Sequence, residues 1–233
     1  MVQLNELTTH WTELVASNSD SRELANEAQN LVLVRYANAV FEYLLMRVRD
    51  PHLANDLTQE FAFRFLRGDF SSASPEKGRF RNFLKTSLTN LIRDNHRRQK
   101  THRKQFESMS AELSRSQTSG QELDEFDRIL RKEIIRRTWA ALERLDDANS
   151  STLTRILKFR AQHPDLTSAE TSQRLSDLSA EPMTPEAVRQ NLVRGRQLFA
   201  NLLKQEVAFL VESTDPQEIE MELRELGLLK YCD

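Results

Sequence analysis

Asn82, Lys85, Thr86, Thr89, Arg93, His96, Arg97 and Lys100 recur at the spacing that places side chains on one helix face. Cations neutralise phosphates while amides and hydroxyls hydrogen-bond base edges, so the mixture suits a nucleic acid. Residues 76–104 hold ten Lys and Arg against only Glu76 and Asp94, a local net charge of +8. A merely solvated helix back interleaves both signs to gain i,i+4 pairs. This one does not. A second set lies in Thr184–Leu203. There Val188, Leu192, Gly195, Phe199, Leu202 and Leu203 line one side, with Thr184, Glu186, Arg189, Gln190, Arg194 and Arg196 at the N-terminal and outer positions. A capped helix of this composition, preceded by a shorter helix and a turn, fits a helix-turn-helix. An ordinary packed hairpin has the same look.

Neither set is built for bond-making chemistry. Ser, His and acidic residues are present, but nothing local positions them as nucleophile and base. Five glycines, no two closer than ten positions, draw no GxGxxG and no P-loop, which excludes Rossmann enzymes and P-loop NTPases. Cys232 stands alone, and His10, His52, His96, His102 and His163 have no metal-ligand spacing, so neither a disulfide framework nor a zinc site is expected. No cofactor is expected. The N-terminus lacks the basic start and apolar run of a signal peptide, and no stretch approaches a membrane span. The expectation is a soluble, cytoplasmic protein without membrane insertion.

The elements that must carry these sets read as helices throughout. Asp50-Pro51, Ser74-Pro75, Thr184-Pro185 and Asp215-Pro216 each put a capping side chain before a proline at the first helical position. Thr167-Ser-Ala-Glu170 reads as a capping box. Between such signals the apolar spacing is helical and no strand-length alternation occurs, which predicts an all-α chain. Helices are expected over Leu31–Arg49, Pro51–Arg67, Lys77–Gln99, Gln121–Leu145, Thr152–Ala161, Ser168–Asp177, Pro185–Val211 and Gln217–Leu226. Leu53, Leu57, Phe61 and Phe65 stripe the second of them; Phe80, Phe83, Leu84, Leu88, Leu91 and Ile92 give the third its buried face.

The organisation predicted is two helical modules with two tails: an N-terminal extension (1–30), a first module (31–105), a polar linker (106–122), a second module (123–211) and an acidic tail (212–233). The 233 residues carry a formal charge of only −2. Residues 205–233, however, carry eight acids against Arg224 and Lys230, a net of −6. A near-neutral chain thus presents a concentrated basic face, and its acidic end is a candidate to cover that face in the free protein.

Taken together, Asp50-Pro-His-Leu-Ala-Asn-Asp-Leu-Thr-Gln-Glu-Phe61, Pro75-Glu-Lys-Gly-Arg-Phe-Arg-Asn-Phe-Leu84 and Asn90-Leu-Ile-Arg-Asp94 resemble region 2 of a bacterial RNA polymerase sigma factor of the extracytoplasmic-function (ECF) type. Met183-Thr-Pro-Glu-Ala-Val-Arg-Gln-Asn-Leu-Val-Arg-Gly-Arg196 is similar to the recognition helix of region 4 in that family. The resemblance spans roughly 31–98 and 138–207. It implies a factor that binds core RNA polymerase and recognises and opens promoter DNA without catalysing a reaction. Asp56, Gln59 and Glu60 would dock on the clamp helices of the largest polymerase subunit. They are i, i+3, i+4 neighbours opposite Leu57 and Phe61, a polar face on an anchored helix. The loop Gly68–Ser74 would capture a base flipped from the melted strand. The Asn82–Arg97 stripe would follow that strand, Arg189 and Gln190 would read an upstream duplex element, and Arg194 and Arg196 would grip phosphates. Thr184 would contact phosphate or simply cap its helix.

An anti-sigma protein is a further candidate partner. The turn from about Asp177 to Met183 is longer than in a usual helix-turn-helix, which would aim the recognition helix differently. Two other readings stay open: a polymerase-independent DNA-binding regulator using only the Thr184–Leu203 helix, and a helical adaptor whose basic face binds an acidic protein.

Overall fold

Capping chemistry fixes where the helices start. The computed structural model describes residues 23–67, 80–106, 120–149, 151–177, 182–211 and 213–232, and among these the chain is all-α. The helices are α1 (Glu23–Val48), α2 (Pro51–Leu66), α3 (Phe80–Phe106), α4 (Gly120–Asn149), α5 (Leu153–Gln162), α6 (Ser168–Asp177), α7 (Pro185–Val211) and α8 (Pro216–Glu225), followed by a 3₁₀ turn at Leu229–Tyr231. The Asp50 carboxylate accepts from the N–H groups of His52 at 2.9 Å and Leu53 at 3.3 Å, with Pro51 opening α2. Asp215 accepts from Gln217 N–H at 3.0 Å before Pro216, and Thr184 Oγ1 accepts from Ala187 N–H at 3.1 Å before Pro185. Ser74-Pro75 lies outside the described residues. The capping box closes both ways: Thr167 N–H donates to Glu170 Oε2 at 2.7 Å and Glu170 N–H to Thr167 Oγ1 at 3.2 Å.

Three helices outrun their predicted ends, α4 by continuing from Leu145 to Asn149. Residues 23–30, expected in the N-terminal extension, are the first turns of α1; Glu, Leu, Ala and Gln there are good helix formers. Past Gln99, α3 continues to Phe106 because nothing from Lys100 to Phe106 breaks a helix.

The chain divides into two compact units, residues 1–133 and 134–233. In the first, α1 and α2 form a hairpin joined by Arg49 and Asp50 alone. So tight a connection puts Arg49 at φ 56°, the left-handed conformation common just past a helix end. Leu33, Tyr36, Val40 and Leu44 of α1 are buried with Leu57, Phe61 and Phe65 of α2 and with Leu84, Leu88, Leu91 and Ile92 of α3. Phe65 meets Phe83 at 6.2 Å between ring centroids.

The boundary between units falls inside α4, not in the polar stretch 106–122 where the sequence places a linker. The reason is local. The first half of α4 is committed to the first unit: Phe126 is fully buried, edge-on to Tyr43 at 5.4 Å, and Asp127 reaches two cations of α3.

The second unit is organised along α7, whose Val188, Leu192, Phe199, Leu203, Val207 and Leu210 are buried. Trp139 of α4 packs on Phe199 at 4.7 Å. A Cβ added at Gly195 would sit 2.8 Å from Leu157 Cδ1, so the bare glycine is what lets α5 and α7 approach. Glu206 is buried and accepts from Arg137 Nε at 3.1 Å, the pairing a buried carboxylate requires. The C-terminal segment belongs to this core as well: Leu223, Leu226 and Leu228 are at most 2% exposed.

Candidate nucleic-acid interface

Three exposed helix faces carry the residues singled out by the sequence. On α2, burial of Ala54, Leu57, Thr58, Phe61, Ala62 and Phe65 turns the opposite side outward. Asp56 and Gln59 are exposed there. Glu60 is half-buried and accepts from Arg64 Nε at 2.8 Å, while Arg64 NH1 also lies 3.7 Å from Asp94 of α3. Glu60 therefore presents a carboxylate already shared with a cation. The face continues to Phe63, 52% exposed, with the Arg67 guanidinium 5.3 Å from its ring centroid. The sequence reading missed Phe63; an apolar residue at the seventh position after Asp56, on the polar side, was the signal available.

On α3 the stripe is mostly open. Asn82, Thr86, Arg93, His96, Arg97 and Arg98 are exposed and Thr89 is half-buried. The Thr86 hydroxyl donates to Asn82 O at 2.9 Å and the Thr89 hydroxyl to Lys85 O at 2.8 Å. Their protons are thus engaged within the helix, and their lone pairs remain as acceptors. Lys85 departs from expectation: it is 8% exposed, and its Nζ lies 2.5 Å from Asp127 Oδ2. Arg81, 5% exposed, meets the same carboxylate at 3.2 Å. At 3.6 residues per turn Lys85 is about 60° from Asn82 around the helix, at the margin of the stripe, and α4 covers that margin. The side chain of Lys100 and the loop 68–74, with Phe70, lie outside the described residues.

On α7, Glu186, Arg189, Gln190, Arg194 and Arg196 are exposed. Glu186 organises its neighbours: Arg189 NH1 lies 3.1 Å from Glu186 Oε2, and Gln190 Nε2 donates to Glu186 Oε1 at 3.4 Å. Thr184 is the helix cap, its oxygen taken by Ala187 N–H. The approach to α7 is pinned by two serines that the sequence reading passed over. The Ser172 hydroxyl donates to Met183 O, and Met183 N–H donates to Ser176 Oγ at 3.0 Å. These bonds tie α6 to the backbone just before α7. Val193, 56% exposed, lies among the polar residues of this face.

Among the described residues there is no group of three or more His, Cys, Asp or Glu able to hold a metal ion, and no helix is long and apolar enough to cross a membrane. What the three faces offer is charge, hydrogen-bond donors and acceptors, and isolated apolar anchors. That is equipment for binding.

Residues 32–102 match the family described as sigma-70 region 2. No curated protein and no solved structure matches the chain. The match spans most of α1, all of α2 and most of α3, under a third of the chain, and supports a place in a sigma factor family. Such a domain implies a role in transcription initiation, with core RNA polymerase and promoter DNA as partners.

Proposed function

We propose that this protein is a sigma factor of the ECF type, which binds core RNA polymerase through α2, follows the opened promoter strand with α3 and reads an upstream duplex element with α7. The observation that carries the proposal is that the region 2 match falls on the helices that display the α2 and α3 faces. Docking centres on Asp56, Gln59 and Glu60, with Phe63 as an aromatic anchor inside a polar rim, the pattern of a binding hot spot. Its target is the clamp helices of the largest polymerase subunit. Asn82, Thr86, Thr89, Arg93 and Arg97 face the melted strand, where the arginines supply phosphate contacts. Lys85 leaves this group and serves the fold. On α7, Arg189 and Gln190 address base edges in the major groove while Arg194 and Arg196 hold the backbone. No catalytic step is assigned to the protein, and an anti-sigma protein would find its binding surface on these same faces.

Core-polymerase capture tests the proposal. The full chain is expected to retain core enzyme, and Asp56→Arg with Phe63→Ala to lose at least tenfold in affinity at unchanged helical content. Equal capture by both chains refutes docking through α2. A second reading draws on the separate core of residues 134–233, which lies outside the region 2 match: α7 alone acts in a polymerase-independent regulator. Specific DNA binding undiminished by loss of core-enzyme binding would favour that reading.

A further inference from the structure

Beyond its opening Pro185, the outward side of α7 is polar apart from one residue. Glu186, Arg189, Gln190, Arg194 and Gln197 surround Val193, and all are exposed. At 56%, Val193 is the most open large hydrophobic among the described residues. It follows Arg189 by four positions and Gln190 by three, so the three side chains are neighbours along one face. A β-branched residue also forms helix less readily than the Arg or Gln beside it, so local helix stability does not favour valine at this place.

The inference rests on α7 being the helix that enters duplex DNA. In the major groove every base presents hydrogen-bonding groups, and thymine alone adds a methyl group. Valine has neither donor nor acceptor. Set against the cytosine amino group or the guanine acceptors, it would desolvate a polar group and give nothing in return. Against the thymine 5-methyl it buries apolar surface on both sides. Arg189 and Gln190, oriented by Glu186, hydrogen-bond the adjoining base edges and fix the register. We infer that Val193 is a specificity determinant that selects thymine, through its methyl group, at one position of the upstream element.

Deoxyuridine differs from thymidine only by that methyl, which makes a direct test. Holoenzyme assembled from the full chain and bacterial core polymerase is footprinted on promoter fragments selected in vitro. Each thymine of the protected upstream element, on both strands, is then replaced in turn by deoxyuridine. At one position the replacement should weaken wild-type binding about fourfold, the effect of one buried methyl. V193A should bind the thymine and uracil forms alike, whereas V193I should keep the preference. Thermal melts of the variants are expected to match wild type, because the position lies outside the core. A wild-type protein indifferent to every replacement, or a V193A protein as sensitive as wild type, overturns the inference while leaving α7 as a reader. A footprint with no upstream protection refutes the reading of α7 itself, and the inference falls with it.

Discussion

A buried ammonium is tolerated when a carboxylate meets it, and Lys85 meets Asp127 at 2.5 Å while Arg81 shares the same acid. Arg93, two turns further along α3, is exposed. Substituting each with alanine should therefore give different phenotypes. Lys85→Ala is expected to cost about 2 kcal/mol of stability, read in a denaturant melt, and to leave the salt dependence of single-strand binding as it was. Arg93→Ala should leave the melt unchanged and lower the slope of log affinity against log salt by about 0.7. The reverse pattern would return Lys85 to the DNA face. Helical periodicity showed which residues of α3 point roughly outward. It could not show that α4 lies along one margin of that face, because the covering residue, Asp127, is 42 positions away.

At the scale of elements, the junction between α4 and α5 depends on a cap supplied from outside its own helix. Thr152 stands at the N-cap of α5 and makes no side-chain capping bond. Asp146, 6% exposed, takes over: it accepts from the Ser151 hydroxyl and from Thr154 N–H at 2.5 Å. Burial pushes the Asp146 carboxyl upward, but hydrogen bonds from Ser151, Thr154 and Leu153 together outweigh it and hold the group below its ordinary value. The sign follows from linkage. A depressed carboxyl contributes stability in full above its unfolded pKa of about 3.9 and loses it as pH falls through the lower folded value. Wild-type stability should therefore drop in acid more steeply than that of Asp146→Asn, while at pH 7 the variant should be about 1 kcal/mol less stable. Parallel acid curves in urea titrations would refute the cap. Starts of this kind divide by legibility. Asp50, Thr167, Thr184 and Asp215 each cap the helix that follows them directly, so three or four residues of sequence declare them. Asp146 caps across a turn, eight positions before Thr154, and Gly195 reveals its purpose only against Leu157.

Across the whole molecule charge is segregated, +8 over residues 76–104 against −6 over residues 205–233. Charge alone made the C-terminal segment a candidate cover for the basic face. Its apolar residues give it a different task, since Leu223, Leu226 and Leu228 lie at most 2% exposed in the second unit, while Glu218, Glu220 and Glu225 are exposed. The alternation was present in the sequence, but one amphipathic turn reads equally as a solvated tail until a partner surface, here α7, is known. Two variants separate the apolar role from the charged one. Deleting the residues after Val211 strips three buried leucines and should cost the second unit about 5 kcal/mol or more, seen as early proteolysis within residues 134–211 while the first unit stays protected. Replacing Glu218, Glu220 and Glu225 with glutamine removes three exposed charges, among them the partner of Arg224 in an exposed ion pair, Glu220, and should shift stability by less than about 1 kcal/mol. If the deletion leaves the second unit as protected as before, the C-terminal leucines are not part of its core. If the glutamine variant alone raises single-strand affinity, and the gain vanishes in high salt, the acids act on the basic face through the field they set up in solution.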